Sequence, residues 1–178
     1  MRADPNGKQY EGRLTMARFF TSGIMLLLMA MLSGCINLNS PPFQPGATED
    51  EITSYIGKPT ARYQDGNTVL LEYARGYWGQ HTHMGRLGPD GRLVSWEQVP
   101  TNEKFGELAL GRSTKQDVLL TVGQPGEYTR IVLHDYEVWT YHYKQDGVFD
   151  SVMHLMFDKN GVLRKMENGL DFMYNVGP

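Results

Sequence analysis

A repeated helix-and-turn pattern restricts the fold of this chain more than any other feature. Segments 48–59 and 114–125 both run from threonine through two β-branched residues, four positions apart, to glycine and proline. Thr48 and Thr114 can each N-cap a short helix, because an acidic residue three positions later completes a capping box. The glycine and the proline then end the helix. The sequence therefore predicts two similar units, each opening with a short helix.

Strand-like runs follow each helix and predict antiparallel meanders. In the first unit they cover 68–74, 80–87 and 92–98, and in the second unit 127–132, 136–143, 148–157 and 162–166. Asp146-Gly147 and Asn160-Gly161 are tight-turn signals in the second unit. We expect an α+β fold of two tandem units, residues 46–100 and 101–178, each a short helical segment packed on a three- to four-stranded antiparallel sheet. Alternation favours Trp139 and Tyr141 facing inward.

The second unit resembles a known family. The resemblance rests on Gly111–Val118, Val122–Pro125, Trp139–Tyr141 and Phe157–Gly161, which are similar to motifs of the SmpA/OmlA outer-membrane lipoproteins. It covers roughly residues 108–167 and, more weakly, 46–98. The resemblance implies a small α+β unit that acts in outer-membrane β-barrel assembly, with barrel-assembly subunits as partners. Members of that family carry one unit, whereas this chain carries two. The tandem arrangement resembles the β-lactamase inhibitory proteins.

The N-terminal part of the chain reads as an export signal. A basic start is followed by the apolar run Phe19–Met31 and by Leu32-Ser33-Gly34-Cys35. The run is shorter than the ~20 residues of a spanning helix. The tetrapeptide resembles a lipobox, which implies lipid on Cys35 and a mature protein that begins there. Residues 1–34 are then a signal peptide, starting at Met1 or Met16, and 35–45 form a lipidated tether.

Composition limits the partners of the mature chain. Cys35 is the only cysteine, so it cannot form an intrachain disulfide. Loss of four basic and two acidic residues with the signal peptide changes the net charge from −3 to −5. Without a basic patch, nucleic acid is not an expected partner, and membrane lipid is bound through acylated Cys35. By resemblance to enterobacterial lipoproteins, Ile36 in place of aspartate favours the outer membrane, with the folded part in the periplasm.

The sequence lacks the motifs of an active site. It has no phosphate-binding glycine loop, no dinucleotide fingerprint and no nucleophile elbow. His81 and His83 are two positions apart, but zinc needs at least three ligands. We therefore expect no enzymatic activity, no cofactor, no metal and no small-molecule substrate.

Two aromatic residues remain as candidates for partner binding. Tyr77 and Trp78 lie between two glycines at a hairpin turn, and exposed tyrosine and tryptophan are typical interface anchors. One hypothesis is a lipoprotein that binds a protein partner in β-barrel assembly or envelope integrity. The alternative is an inhibitor module that clamps a periplasmic or secreted hydrolase such as a β-lactamase. The sequence leaves both open.

Overall fold

The computed structural model describes residues 43–175, with four α-helices, two short 3-10 helices (Tyr77–Gly79 and Val132–His134) and eight strands in that range. The helices are α1 Glu49–Ile56, α2 Asn102–Gly106, α3 Lys115–Val122 and α4 Phe172–Asn175. The strands are β1 Ala61–Asp65, β2 Thr68–Tyr73, β3 His83–Leu87, β4 Leu93–Gln98, β5 Glu127–Ile131, β6 Tyr136–Gln145, β7 Phe149–Phe157 and β8 Leu163–Leu170.

The strands form two separate four-stranded antiparallel sheets, in the orders β1-β2-β3-β4 and β5-β6-β7-β8. The prediction of an α+β fold in two tandem units is thus confirmed, and no sheet is continuous across both units. The sequence missed β1, which pairs Asp65 with Thr68 across a turn that contains Gly66 at a φ of 56°. This strand is a mostly exposed edge strand, so it lacks the apolar alternation that identified the others. The unpredicted helix α2 connects the units.

Both predicted capping boxes are present. Thr48 donates its backbone N–H to Glu51 Oε2 at 2.8 Å, and Thr114 donates to Asp117 Oδ2 at 2.7 Å. In return, each threonine hydroxyl accepts from the backbone N–H of its acidic partner. Gly57 ends α1 with a φ of 88°, but its ψ of −174° is extended. Glycine adopts this positive φ at little cost, but its extended ψ differs from the left-handed conformation common at helix ends.

Helix α1 covers the outer face of the first sheet. Ile52 is fully buried against Leu71 and Leu87. Phe43 extends this core, because its ring lies 5.1 Å from that of Trp96 in an edge-on contact. The first unit therefore has the predicted arrangement of one helix on one sheet.

Helix α3 lies between the two sheets. Val118 and Val122 face the second sheet in the largest core cluster, which also contains Trp139 and Tyr141, as predicted. Leu120 packs on the other side, against three buried residues of the first unit, Leu70, Met84 and Val99. The layers are thus α1, first sheet, α3, second sheet. One short helix contributes to two cores.

A buried carboxylate joins the units at the end of α3. Glu72 of β2 accepts a hydrogen bond from the Tyr63 hydroxyl at 2.5 Å and one from the Gln124 backbone N–H at 3.1 Å, both on Oε2. Burial raises the pKa of Glu72 above its usual value, although both hydrogen bonds act in the opposite direction. Arg86 adds a second link by donating to the Leu120 carbonyl oxygen at 3.1 Å.

Candidate protein-binding surface

The predicted aromatic pair lies on a tight turn between β2 and β3, but its two members differ in exposure. Tyr77 is 52% exposed, whereas Trp78 is half-buried. The Trp78 ring centroid lies 4.4 Å from that of His142 on β6 of the second unit, and 4.5 Å from that of Tyr77. Trp78 therefore packs on the second unit, and Tyr77 is the more exposed of the two residues.

Trp78 is held by a close backbone approach. Its φ of 49° and ψ of 33° lie in the left-handed region, which is unfavourable for a bulky side chain. A Cβ atom on Gly126 would lie 2.7 Å from the Trp78 carbonyl oxygen and 2.9 Å from its Cβ. Only glycine at position 126 thus allows the turn to approach the second unit this closely.

The Trp78 ring covers a buried histidine–aspartate pair that the sequence did not reveal. His142 Nδ1 lies 2.6 Å from Asp171 Oδ2, and the two side chains are only 3% and 1% exposed. His142 Nε2 is buried and has no hydrogen-bond partner among residues 43–175. A nucleophile activated by histidine would have to lie within hydrogen-bond distance of this atom. Within residues 43–175 the pair therefore lacks the nucleophile of a catalytic triad, and it connects β6 to the segment after β8.

A second contact between the units lies next to this pair. Gln80 donates from Nε2 to Asp150 Oδ1 at 2.6 Å, and Lys144 Nζ lies 2.8 Å from the same oxygen. The hydrogen bond from Lys144 is the main reason that the pKa of Asp150 lies below its usual value. Asp150 is therefore a carboxylate at neutral pH, and its charge neutralises that of Lys144.

Exposed apolar side chains gather where β6 turns into β7 and β8 ends. Ser151 pairs with Leu170, and Asp171 donates its backbone N–H to the Asp150 carbonyl oxygen at 3.0 Å. This register brings the end of β8 and the start of α4 close to the start of β7. Five side chains here are each between 58% and 71% exposed, and we call them the terminal patch: Val148, Phe149, Leu170, Phe172 and Met173. This patch was not predicted from the sequence. Part of it could have been found from the apolar residues that follow the last predicted strand, which ends at residue 166.

A polar cleft borders the terminal patch. It has a volume of about 220 Å³ and is lined by both units and their connection, through His81, Gln98, Thr101, Asn102, Glu103, Lys144, Asp146 and Gly147. Gly147 joins the cleft to the patch, since it immediately precedes Val148. We call this feature the junction cleft. Asn102 donates from Nδ2 to Asp146 Oδ1 at 2.8 Å across it.

The two histidines considered as metal ligands have different surroundings. His83 stacks on Trp96 with ring centroids 5.9 Å apart, and burial lowers its pKa. His81 lines the junction cleft instead. Within residues 43–175, no three His, Cys, Asp or Glu side chains are grouped so that they could hold a metal ion.

The predicted lipid-attachment site is not part of this surface. Cys35 and the tether up to residue 42 are outside the described residues. In the described range no helix is both long enough and apolar enough to cross a bilayer.

Comparison with known proteins gives only distant likenesses. No protein-family model matches the chain, and no curated protein matches its sequence. A proposed β-lactamase inhibitor protein from Streptococcus mutans is 17% identical over 72% of this chain and 85% of that one, with a TM-score of 0.33. A DUF4309 family protein, YjgB from Bacillus subtilis, is 13% identical over 70% and 79%, with a TM-score of 0.30. At these TM-scores neither likeness assigns a function or a functional residue.

Proposed function

We propose that this chain is a lipid-anchored protein of the bacterial outer membrane that binds a protein partner and is not an enzyme. The observation that carries this proposal is the terminal patch, in which five large apolar side chains are each more than half exposed. Contiguous exposed apolar surface on a folded domain marks an interaction site. The patch combines the start of β7, the turn before it, the end of β8 and the first residues of α4.

The anchor is supported by the Leu32–Cys35 tetrapeptide and by the short tether after it. Several acyl chains make such an anchor durable, since a single chain binds a bilayer only marginally. Because the Phe43 ring packs in the core of the first unit, only residues 36–42 can act as a tether, and they reach at most roughly 25 Å when extended. The folded part would thus act close to the membrane, which suits a role in β-barrel assembly or envelope integrity.

Lipidation is tested by replacing Cys35 with alanine. The original chain should incorporate radiolabelled palmitate and lose residues 1–34, because both steps act at the cysteine. The Cys35→Ala chain should remain unlabelled and keep the mass of the precursor. Palmitate incorporation by Cys35→Ala, or an unprocessed original chain, would contradict the anchor.

Partner binding is tested by site-specific photo-crosslinking in cells. A crosslinking amino acid at Phe172 in the terminal patch should capture a discrete protein, while the same amino acid at exposed Asp90, in the turn between β3 and β4, should not. Equal capture at both sites, or none at either, would contradict the proposal.

The role in β-barrel assembly is tested by deletion of the protein, which should sensitise cells to large hydrophobic antibiotics. Unchanged permeability without co-purifying barrel-assembly subunits would remove that role.

A second candidate function is inhibition of a periplasmic or secreted hydrolase such as a β-lactamase. It is favoured by the tandem units and by the exposure of Tyr77 on a turn that projects an aromatic ring. The detergent-solubilised lipoprotein would be assayed against β-lactamases and peptidoglycan hydrolases. Absence of inhibition at micromolar concentration would count against this function and leave partner binding in place.

A further inference from the structure

The terminal patch and the junction cleft are continuous, and together they offer two different chemistries. The patch is apolar and includes the exposed rings of Phe149 and Phe172. The cleft, entered at Gly147, is polar. Its volume of about 220 Å³ is below the ~300–1,000 Å³ of typical small-molecule sites. A cleft of this size accommodates one long side chain rather than a whole metabolite.

The charges that line the junction cleft favour a cation. Lys144 is neutralised by Asp150 at 2.8 Å. Among the described residues, no ion pair involves Glu103 or Asp146. Hydrogen bonds from its own backbone N–H and from Thr101 lower the pKa of Glu103, so it is a carboxylate at neutral pH. His81 is the other basic group in the cleft. The two carboxylates thus leave the cleft with an uncompensated negative charge.

We propose that this composite surface binds a protein segment that carries apolar and basic side chains together. The apolar side chains lie on Phe149, Leu170 and Phe172. A lysine or arginine side chain enters the junction cleft between Asp146 and Glu103. This inference rests on the proposed function and defines the class of partner. Anionic lipid head groups are disfavoured, because they would meet the same carboxylates and a chain with a net negative charge.

The inference is tested with the detergent-solubilised lipoprotein and two fluorescent amphipathic peptides. One peptide contains only leucine and lysine at helical spacing, and in the other every lysine is replaced by glutamate. The lysine peptide should bind at least tenfold more tightly than the glutamate peptide. The double variant Glu103→Gln/Asp146→Asn should lose at least tenfold in affinity for the lysine peptide. Phe172→Ser should lose a similar factor, since it removes the apolar contact.

Matched controls separate this site from general attraction to an acidic protein. Asp50→Asn removes one exposed carboxylate from α1, and Val132→Ser removes an apolar side chain that is 84% exposed at the other end of β6. Both controls should bind the lysine peptide as the original chain does. Equal losses in controls and site variants, or tighter binding to phosphatidylglycerol vesicles than to the peptide, would overturn the inference.

The crosslinking experiment distinguishes failure of this inference from failure of the proposed function. The protein captured by the crosslinker at Phe172 can be mapped to the segment that was joined. A captured segment with apolar and basic side chains supports the inference. A captured segment without a basic residue overturns the inference and leaves protein binding intact, whereas no captured protein contradicts both.

Discussion

Replacing Glu72 with alanine should lower the free energy of unfolding by about 1–3 kcal/mol, the usual cost of leaving buried polar groups without partners. The change leaves the Tyr63 hydroxyl and the Gln124 N–H without their acceptor, because both donate to this carboxylate. Glutamine should be tolerated at neutral pH. Both hydrogen bonds converge on Oε2, so a single amide oxygen can accept them, and the buried charge disappears. Denaturant unfolding of the three proteins measures the difference.

The pH dependence of the same variants has a defined sign. Because the pKa of Glu72 is raised in the folded protein, the native state binds its proton more tightly than the unfolded chain does. The contribution of Glu72 is therefore greatest below its unfolded pKa and is lost as the pH rises through the folded pKa. Glu72→Gln should gain stability relative to the original chain as the pH rises from the unfolded value of 4.5. A difference that is constant with pH, or glutamine as damaging as alanine, would contradict this reading.

Replacing Gly126 with alanine should destabilise the protein by about 1–3 kcal/mol, the usual cost of overpacking. The added methyl group would meet the Trp78 carbonyl oxygen at 2.7 Å. Backbone must therefore move, and the Trp78 ring should withdraw from His142. Stability is measured by denaturant unfolding, and the ring by acrylamide quenching, with Trp78→Phe identifying its share of the fluorescence.

Gly106→Ala is the matched control for this change. No atom lies within 4 Å of the Cβ position at Gly106, and its backbone does not need a positive φ. This variant should be neutral or stabilise the protein by about 0.4–1 kcal/mol through the unfolded chain. Equal effects of the two substitutions, or unchanged Trp78 quenching in Gly126→Ala, would show that close approach at this turn is unimportant.

Local patterns in the sequence predicted the elements whose causes are local. Thr48 and Thr114 begin helices because each has its acidic partner three residues away. Alternation was sufficient to place Trp139 and Tyr141 in a core. Strand β1 was not predicted, because a strand at the exposed edge of a sheet requires no apolar pattern.

Features that join distant parts of the chain could not be predicted. His142 and Asp171 are 29 residues apart, and nothing near either residue indicates the other. Glu72 and Gln124 are 52 residues apart, and only the packing of one unit on the other brings them together. At the candidate site, Tyr77 was identified by its neighbouring glycines, whereas the terminal patch depends on the register of β7 and β8.

The position of α3 between the sheets also determines how the molecule loses its structure. Opening the boundary between the repeats would expose Leu120 together with the first-unit residues Leu70 and Met84. The same helix supplies Val118 and Val122 to the second core. Neither repeat can therefore unfold without exposing part of the core of the other. Although the sequence repeats itself, we expect residues 43–175 to unfold in one cooperative transition.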